Sequence, residues 1–376
     1  MAAMEKNNKT LNVPHLRFPE FSGEWKKCMI GDVLKVGNGK DYKHLAEGDI
    51  PVFGTGGYML SVNDFLYEGD SVFIGRKGTI NKPFFYSGKF WTVDTLFYTH
   101  SFNKVIPHFV YGLFQRVNWN NYNEASGVPS LSKSTIEKIP IAITSIEEQQ
   151  KISSLLSLLD QRIETHKKII EDLKKLKDAI CDVNFTSGSV LKLGNVGKFV
   201  RGLTYSASDV IDDTVGTAVM RSNNISNGDP VNFEELVWVN KIPNHEQILR
   251  DGDILICMAN GSSPLVGKAS YYVDCGMYSA TVGAFCGIYR SYNPLTKWLF
   301  QSKHYKKHIQ RCIQGGNGAI ANIYPEDILA ISFNIPSGYE RVLNTLNSLE
   351  DKYLLEQKLL CRYLTVKSHL LAQLFI

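Results

Sequence analysis

His304 and His308 stand four residues apart, the spacing by which a helix offers two imidazoles to one zinc ion. No Glu follows His304 as in an HExxH site, and Lys306 and Lys307 lie between the two histidines. A solvated basic helix face is the better account. Gly261-Ser-Ser-Pro-Leu-Val-Gly-Lys-Ala269 resembles a phosphate-binding loop, but its glycines are separated by five residues where that loop has about four. Ala269 also replaces the Ser or Thr that would ligate magnesium, so a turn between strands is expected. Phe53-Gly-Thr-Gly-Gly57 lacks both dinucleotide-site spacing and a following amphipathic helix, and reads as a tight turn. There is no GxSxG elbow and no Asp/Asn-Pro-Pro-Tyr/Phe tetrapeptide, and Asp172–Lys174 falls on a helix. The seven cysteines (28, 181, 257, 275, 286, 312 and 361) form no CxxC, which excludes a zinc ribbon and fits a reducing compartment. No catalytic and no metal-ligating residue is assigned.

What remains is binding chemistry. Arg and Lys present paired donors to guanine, and Asn and Gln present a donor and an acceptor to adenine. Lys, Arg, Ser, Tyr and backbone amides hold phosphates. Such residues gather at expected turns: Lys40, Tyr42 and Lys43, then Arg76 and Lys77, in the first half. In the second half they are Arg201 and Tyr205, then Arg221, Asn223 and Asn224, then Asn260 and Ser262. Each alone is an ordinary solvated turn, and Asn223-Asn224 is a favoured turn pair. Their recurrence beside repeated phrases is what singles them out.

Those phrases show that the chain is built twice. Gly31, Val33, Lys35, Gly39 and Tyr42 coincide with Gly194, Val196, Lys198, Gly202 and Tyr205 at a constant offset of 163. Glu68-Gly-Asp-Ser-Val-Phe answers Asp251-Gly-Asp-Ile-Leu-Ile, and Ile152, Leu155, Leu158 and Asp160 answer Leu343, Leu346, Leu349 and Asp351 at an offset of 191. A period this long is no solenoid, so two copies of a domain-plus-helix unit are expected. The length of 376 residues allows two or three domains, and 44% hydrophobic residues suffice for a core in each. The net charge of +4 leans towards an anionic partner without naming one. A polar start and the lack of any long apolar run point to a cytoplasmic protein.

Residues 25–145 and 189–338 are strand-rich, following the N-terminal segment 1–24. Strands are expected at Ser71–Ile74, Phe84–Tyr86, Thr92–Val93, Leu96–Tyr98, Ala218–Met220, Ile254–Cys257 and Val282–Phe285, with helices at His108–Gln115 and Pro294–Ile313. Residues 146–184 switch to a helical register capped by Ser145, with a seam of Ile152, Leu156, Leu159, Ile163, Ile170, Leu173 and Ile180. His166 and Lys177 interrupt it. Residues 339–376 repeat the pattern through Leu343, Leu354, Cys361, Leu364 and Leu371. The fold class is therefore α+β: two strand-rich domains in tandem, separated by two long helices that pair as a coiled coil. A helix of some 37 residues is about 55 Å long, which makes it a spacer.

At this point the chain resembles a known family, the DNA specificity subunits of Type I restriction–modification systems. The resemblance rests on Val13-Pro-His-Leu-Arg-Phe-Pro-Glu-Phe-Ser-Gly-Glu-Trp25, Lys27–Val33, Ser126–Ser132 and Ile139-Pro-Ile-Ala-Ile-Thr-Ser-Ile-Glu-Glu-Gln-Gln-Lys-Ile152. Gly75-Arg-Lys-Gly-Thr-Ile80 and Phe90-Trp-Thr-Val-Asp94 are similar to one variety of that family's target recognition domain. The second half departs from the pattern, with Ile335-Pro-Ser-Gly-Tyr-Glu-Arg341 where the first has its Glu-Glu-Gln-Gln run. The resemblance implies a non-catalytic subunit with two target recognition domains on an antiparallel coiled coil, reading a bipartite, asymmetric site in double-stranded DNA. It also implies two methyltransferase subunits bringing S-adenosylmethionine, and motor-nuclease subunits bringing ATP and magnesium. The rival readings are a self-contained methyltransferase or nuclease, and a coiled-coil scaffold with paired binding heads.

Overall fold

The computed structural model describes residues 12–212, 214–315 and 320–376, so the first eleven residues of the N-terminal segment lie outside the described residues. The chain divides into two compact units, one running to Lys168 together with Gln357–Ile376, the other Ile169–Glu356. Two long helices, Ile146–Asn184 and Tyr339–Leu374, contribute residues to both.

In the first unit, strand Lys26–Met29 pairs antiparallel with Pro140–Ile143, so the residues before and after the domain close on each other. Between them lies a six-stranded sheet in the order Lys35–Asn38, Leu96–His100, Tyr67–Gly75, Phe84–Thr92, Glu47–Gly54, Gly57–Val62. Its ladders are antiparallel except where Val52 and Phe53 run parallel to Trp91 and Thr92. Helix Pro107–Arg116 buries Phe109, Val110, Leu113 and Phe114 against this core.

The second unit opens and closes the same way, Ser189–Lys192 pairing with Ser332–Ile335. Its interior differs. Two four-stranded sheets replace the single sheet: Gly197–Arg201, Cys286–Ser291, Ile254–Cys257, Ala269–Tyr271, and Val210–Ile211, Val237–Val239, Thr217–Met220, Ala280–Val282. The strand expected over Val282–Phe285 stops at Val282. There the chain leaves one sheet for the other through a turn in which the Cys286 amide donates to the Gly283 carbonyl at 2.8 Å. The helix expected over Pro294–Ile313 is two, Thr296–Leu299 and Lys303–Cys312. Ser302 breaks it by accepting from the Tyr305 amide as an N-cap and donating to the Leu299 carbonyl at 2.7 Å.

The repeated glycines mark close approaches. A Cβ on Gly31 would lie 3.0 Å from Glu137, and one on Gly194 would lie 2.9 Å from the Leu329 carbonyl. Gly39 and Gly202 sit still closer to the carbonyls of Val93 and Gly283. The phrase recurs because the same backbone packing recurs.

The long helices obey the same rule. Within the first unit, Ile152 and Leu156 share a core with Leu374 and Phe375, Lys367 pairs with Asp160, and His166 stacks on Tyr363 with centroids 5.0 Å apart. Within the second, Cys181 and Phe185 share a core with Leu346, and Lys177 pairs with Glu350. Asp160 and Glu350, Lys177 and Lys367, and Phe185 and Phe375 are each separated by 190 residues, which corrects the offset expected from the sequence by one position. Burial explains the correction: Leu158 is 61% exposed, whereas Leu156 and Leu346 are both buried. Along the first helix's expected seam Ile170 and Ile180 are half-buried and the others buried. The second helix buries a different set. Cys361 and Leu364 are exposed, Leu343, Leu354 and Leu371 are half-buried, and the buried positions are Leu346, Glu350, Tyr353, Glu356 and Leu374. Three of the positions that make this stripe, Glu350, Tyr353 and Glu356, are polar or aromatic, so apolar periodicity alone does not reveal it.

Glu350 also accepts from the Tyr271 hydroxyl and lies 3.5 Å from Lys297 Nζ, and burial together with Glu350 pushes the Tyr271 phenol far up. Lys177 sits 3.9 Å over the Tyr353 ring. Both side chains of the Lys177–Glu350 pair are 3% exposed, so removing one partner strands a buried charge. Lys177→Met should lower the second unit's stability by about 3 kcal/mol, the low end for a broken buried pair because Lys297 still faces Glu350. Lys367→Met, at the more exposed equivalent pair, should cost about 1 kcal/mol. Urea unfolding of the two variants against the parent compares them.

Candidate nucleic-acid interface

In the first unit the chain leaves strand Lys35–Asn38 and is pinned at once: the Lys40 amide donates to the Thr92 carbonyl at 2.8 Å, and Trp91 Nε1 donates to the Lys40 carbonyl at 2.9 Å. The backbone is thereby fixed while the Lys40 and Lys43 side chains stay exposed and Tyr42 lies half-buried on the Trp91 cluster. The second group is held to the same loop. The Arg76 and Lys77 amides both donate to the Thr95 carbonyl, at 2.8 and 3.3 Å, and the Gly78 amide donates to the Pro129 carbonyl at 2.9 Å. Arg76 Nη1 reaches the Asp94 carbonyl at 3.3 Å, and its guanidinium lies 5.9 Å from the Phe97 ring centroid. Loop 92–96 thus gathers Lys40 and Arg76 on rigid backbone. The hairpin Gly54–Gly57, the turn expected at Phe53–Gly57, carries a side chain that no sequence motif singles out: Tyr58, 63% exposed.

In the second unit Tyr205, Arg221 and Asn260 line one cleft of about 400 Å³ with Ser222, Gly261, Phe285 and Ile320. Asn260 Nδ2 donates to Ser222 Oγ at 3.2 Å, and Asn260 Oδ1 accepts from the Ser262 amide at 2.9 Å, so its amide orients the rim. Arg221, Asn223 and Ser262 are exposed, and Asn223 Nδ2 lies 3.4 Å from Glu235 Oε2. Arg201 is exposed at the end of its strand, where its carbonyl accepts from Gln247 Nε2 at 3.1 Å. Phe285 escapes the sequence reading because its apolar neighbours place it in a strand; it is 64% exposed over the cleft. The neighbouring Cys257 thiol and burial push the Cys286 thiol up, which keeps it protonated in the cleft wall.

Asn224 is corrected. It is fully buried: Nδ2 donates to the carbonyls of Asn232 at 3.0 Å and Glu234 at 2.7 Å, and Oδ1 accepts from the Arg221 amide at 2.8 Å. It cannot reach a ligand, and instead holds the loop that presents Arg221. The phosphate-loop look-alike is a turn, with Gly267 at φ +80° against Ile309 and the short helix Ser263–Leu265. Among the described residues no group of three His, Cys, Asp or Glu side chains could hold a metal ion.

The junction phrases prove to be joinery. Arg17 makes a bidentate pair with Glu148 at 2.8 and 2.7 Å, which holds the guanidinium pKa above its usual value. Gln149 donates to the carbonyls of Lys104 and Thr144 and accepts from the Ile106 amide. The Glu-Glu-Gln-Gln run therefore ties the N-terminal segment and the domain to the start of the long helix.

Residues 22–175 match the family model described as the Type I restriction modification DNA specificity domain. The specificity subunit of the Type I restriction enzyme MjaVIII of Methanocaldococcus jannaschii is 24% identical over 366 residues, spanning 83% of this chain and 81% of its own. The chain is thus similar to Type I DNA specificity subunits along most of its length. The specificity subunit of EcoKI from Escherichia coli K12 is 30% identical over 156 residues, 39% of this chain and 32% of that one. The crystal structure of a Type I system S subunit from M. genitalium shares the fold, with a TM-score of 0.63 at 15% identity over 97% of this chain and 99% of that chain. No described helix is long and apolar enough to cross a membrane.

With its loops held this way, the protein should separate scaffold residues from those that face a ligand. Asn224→Ala removes three buried hydrogen bonds and should cost the second unit about 2–3 kcal/mol. Arg221→Ala, exposed beside it, should change stability by no more than about 0.5 kcal/mol. Thermal unfolding checks both.

Proposed function

We propose that this chain is the DNA-reading subunit of a Type I restriction–modification complex, with each unit reading one half of a bipartite, asymmetric duplex target. The observation that carries this is the family likeness along most of the chain, joined to two loop groups that present cations, amides and aromatic rings from fixed backbone. The first unit's loops offer Lys40, Lys43, Arg76 and Lys77, and the second's offer Arg201, Arg221, Asn223 and Asn260. Different sheets carry the two groups, so the two half-sites differ in sequence.

The long helices form an antiparallel coiled coil that spaces two tandem target recognition domains, 25–145 and 189–338. A 39-residue helix is about 58 Å long, more than one DNA turn of roughly 35 Å, so unread base pairs separate the half-sites. The subunit performs no chemistry itself. Methyltransferase subunits dock on the helices with S-adenosylmethionine, and motor-nuclease subunits supply ATP and magnesium chemistry. The site of action is the cytoplasm.

Arg76→Ala in the assembled complex should relax or abolish recognition at one half-site and leave the other intact. Mapping methylated adenines genome-wide in cells carrying the parent and the variant measures this, and equal damage at both halves would refute the assignment. Lengthening both helices by one turn, about 5.4 Å, should change the spacer and leave both half-sites unaltered in the same assay.

A further inference from the structure

Helix Lys303–Cys312 of the second unit is split by chemistry along its length. Tyr305 and Ile309 are buried, and the Tyr305 hydroxyl donates to the Gly267 carbonyl at 2.9 Å, which fixes how the helix is turned. The outward face carries Lys303, His304, Lys307, Gln310 and Arg311, all exposed. The ten residues contain no acid.

That face opposes its own helix. Lys303 and Lys307, and Lys307 and Arg311, are like charges at i,i+4, and Lys303 sits at the end where the helix dipole disfavours a cation. Asp182 offsets the first of these, accepting from the Lys303 amide at 2.9 Å and pairing with Lys303 Nζ at 2.7 Å. Among the described residues Lys307 and Arg311 have no ion-pair partner. The buried side alone accounts for the helix's packing, so the charge pattern outside calls for an anion.

Position says which anion. After its last turn the chain forms the bridge Gln314–Asn322, and strand Ala321–Asn322 pairs with Ala259–Asn260, whose Asn260 lines the cleft together with Ile320. The Arg311 end therefore adjoins the cleft and the Lys303 end adjoins Asp182 of the long helix. Ten residues span about 15 Å, about four base-pair steps at 3.4 Å each. Helix Pro107–Arg116 of the first unit covers its core with Phe109, Val110, Leu113 and Phe114 and has no such face.

We infer that the outward face of helix Lys303–Cys312 binds the phosphodiester backbone of duplex DNA as it leaves the second half-site towards the unread spacer. Lys307 and Arg311 each hold a phosphate and contribute affinity without base preference. The inference rests on the DNA-reading function proposed above.

The test uses the full-length subunit assembled with its methyltransferase partners, a duplex of about 40 base pairs with arbitrary sequence, and a salt titration. For each phosphate that is no longer neutralised, the slope of log affinity against log salt should fall by about 0.9. Lys307→Glu with Arg311→Glu should therefore lower the slope by about 2 and leave the methylated sequence, read from cellular DNA, unchanged. Lys307→Gln with Arg311→Gln, which removes charge without reversing it, should do the same with a smaller drop in affinity. An unchanged slope in both variants, with the parent binding in a salt-sensitive way, overturns the inference and leaves the proposed function standing. Failure of methyltransferase assembly with an unchanged slope overturns it in favour of a protein-docking face. A parent complex that shows no salt-sensitive binding overturns both.

Discussion

A carboxylate early in one long helix meets a lysine late in the other, and the pairing occurs once in each unit: Asp160 with Lys367, and Glu350 with Lys177. Leucine seams tolerate sliding, because one apolar neighbour resembles the next. A buried charge does not. If the helices slipped by a residue, Lys177 and Glu350 would lose each other inside a protein core, and that outcome is far more costly than an exposed mismatch. The ion pairs therefore select the register and the leucines stabilise it, as a lone polar residue does in simpler helix pairs. The second unit's pair is the more consequential, because Tyr271 and Lys297 join it and fasten strands and a short helix to the same carboxylate.

Around that register the two halves divide their sequence between what must recur and what is free to differ. Gly31 and Gly194, and Gly39 and Gly202, recur because a side chain there would strike backbone. Phe185 and Phe375 recur because each plugs the core of a unit at the end of a long helix. Between these fixed points one half builds a six-stranded sheet and the other two four-stranded sheets. Constant joints thus carry unlike surfaces.

The surfaces themselves are loops made stiff by backbone bonds. Loop 92–96 holds both cationic groups of the first unit, and the buried amide of Asn224 holds Arg221 in the second. Side chains that approach bases gain discrimination only if their own backbone does not yield, so much of the polar chemistry serves the scaffold. Arg17, Glu148 and Gln149 show the same at the junction, where charged and amide groups join segments rather than bind a ligand.

The sequence by itself determined the repeated phrases, the long helices and three strands of the first unit, Tyr67–Gly75, Phe84–Thr92 and Leu96–His100, because these depend on local signals: glycines at tight approaches, β-branched and aromatic runs, and a four-and-three apolar step. It also ruled out the zinc, nucleotide and hydrolase sites, whose spacings are strict. Only the tertiary structure decided the second helix's seam, since Glu350 and Tyr353 look like surface residues until Lys177 and Asp229 are seen beside them. It alone could separate Asn224, whose amide is consumed by three backbone groups, from Asn223, whose side chain is exposed. It also gathered Tyr205, Arg221, Asn260 and Phe285 into one cleft. The reason is the same in each case. Burial and hydrogen-bond partners are set by residues distant in the chain, and neither is encoded in the identity of the residue that acquires them.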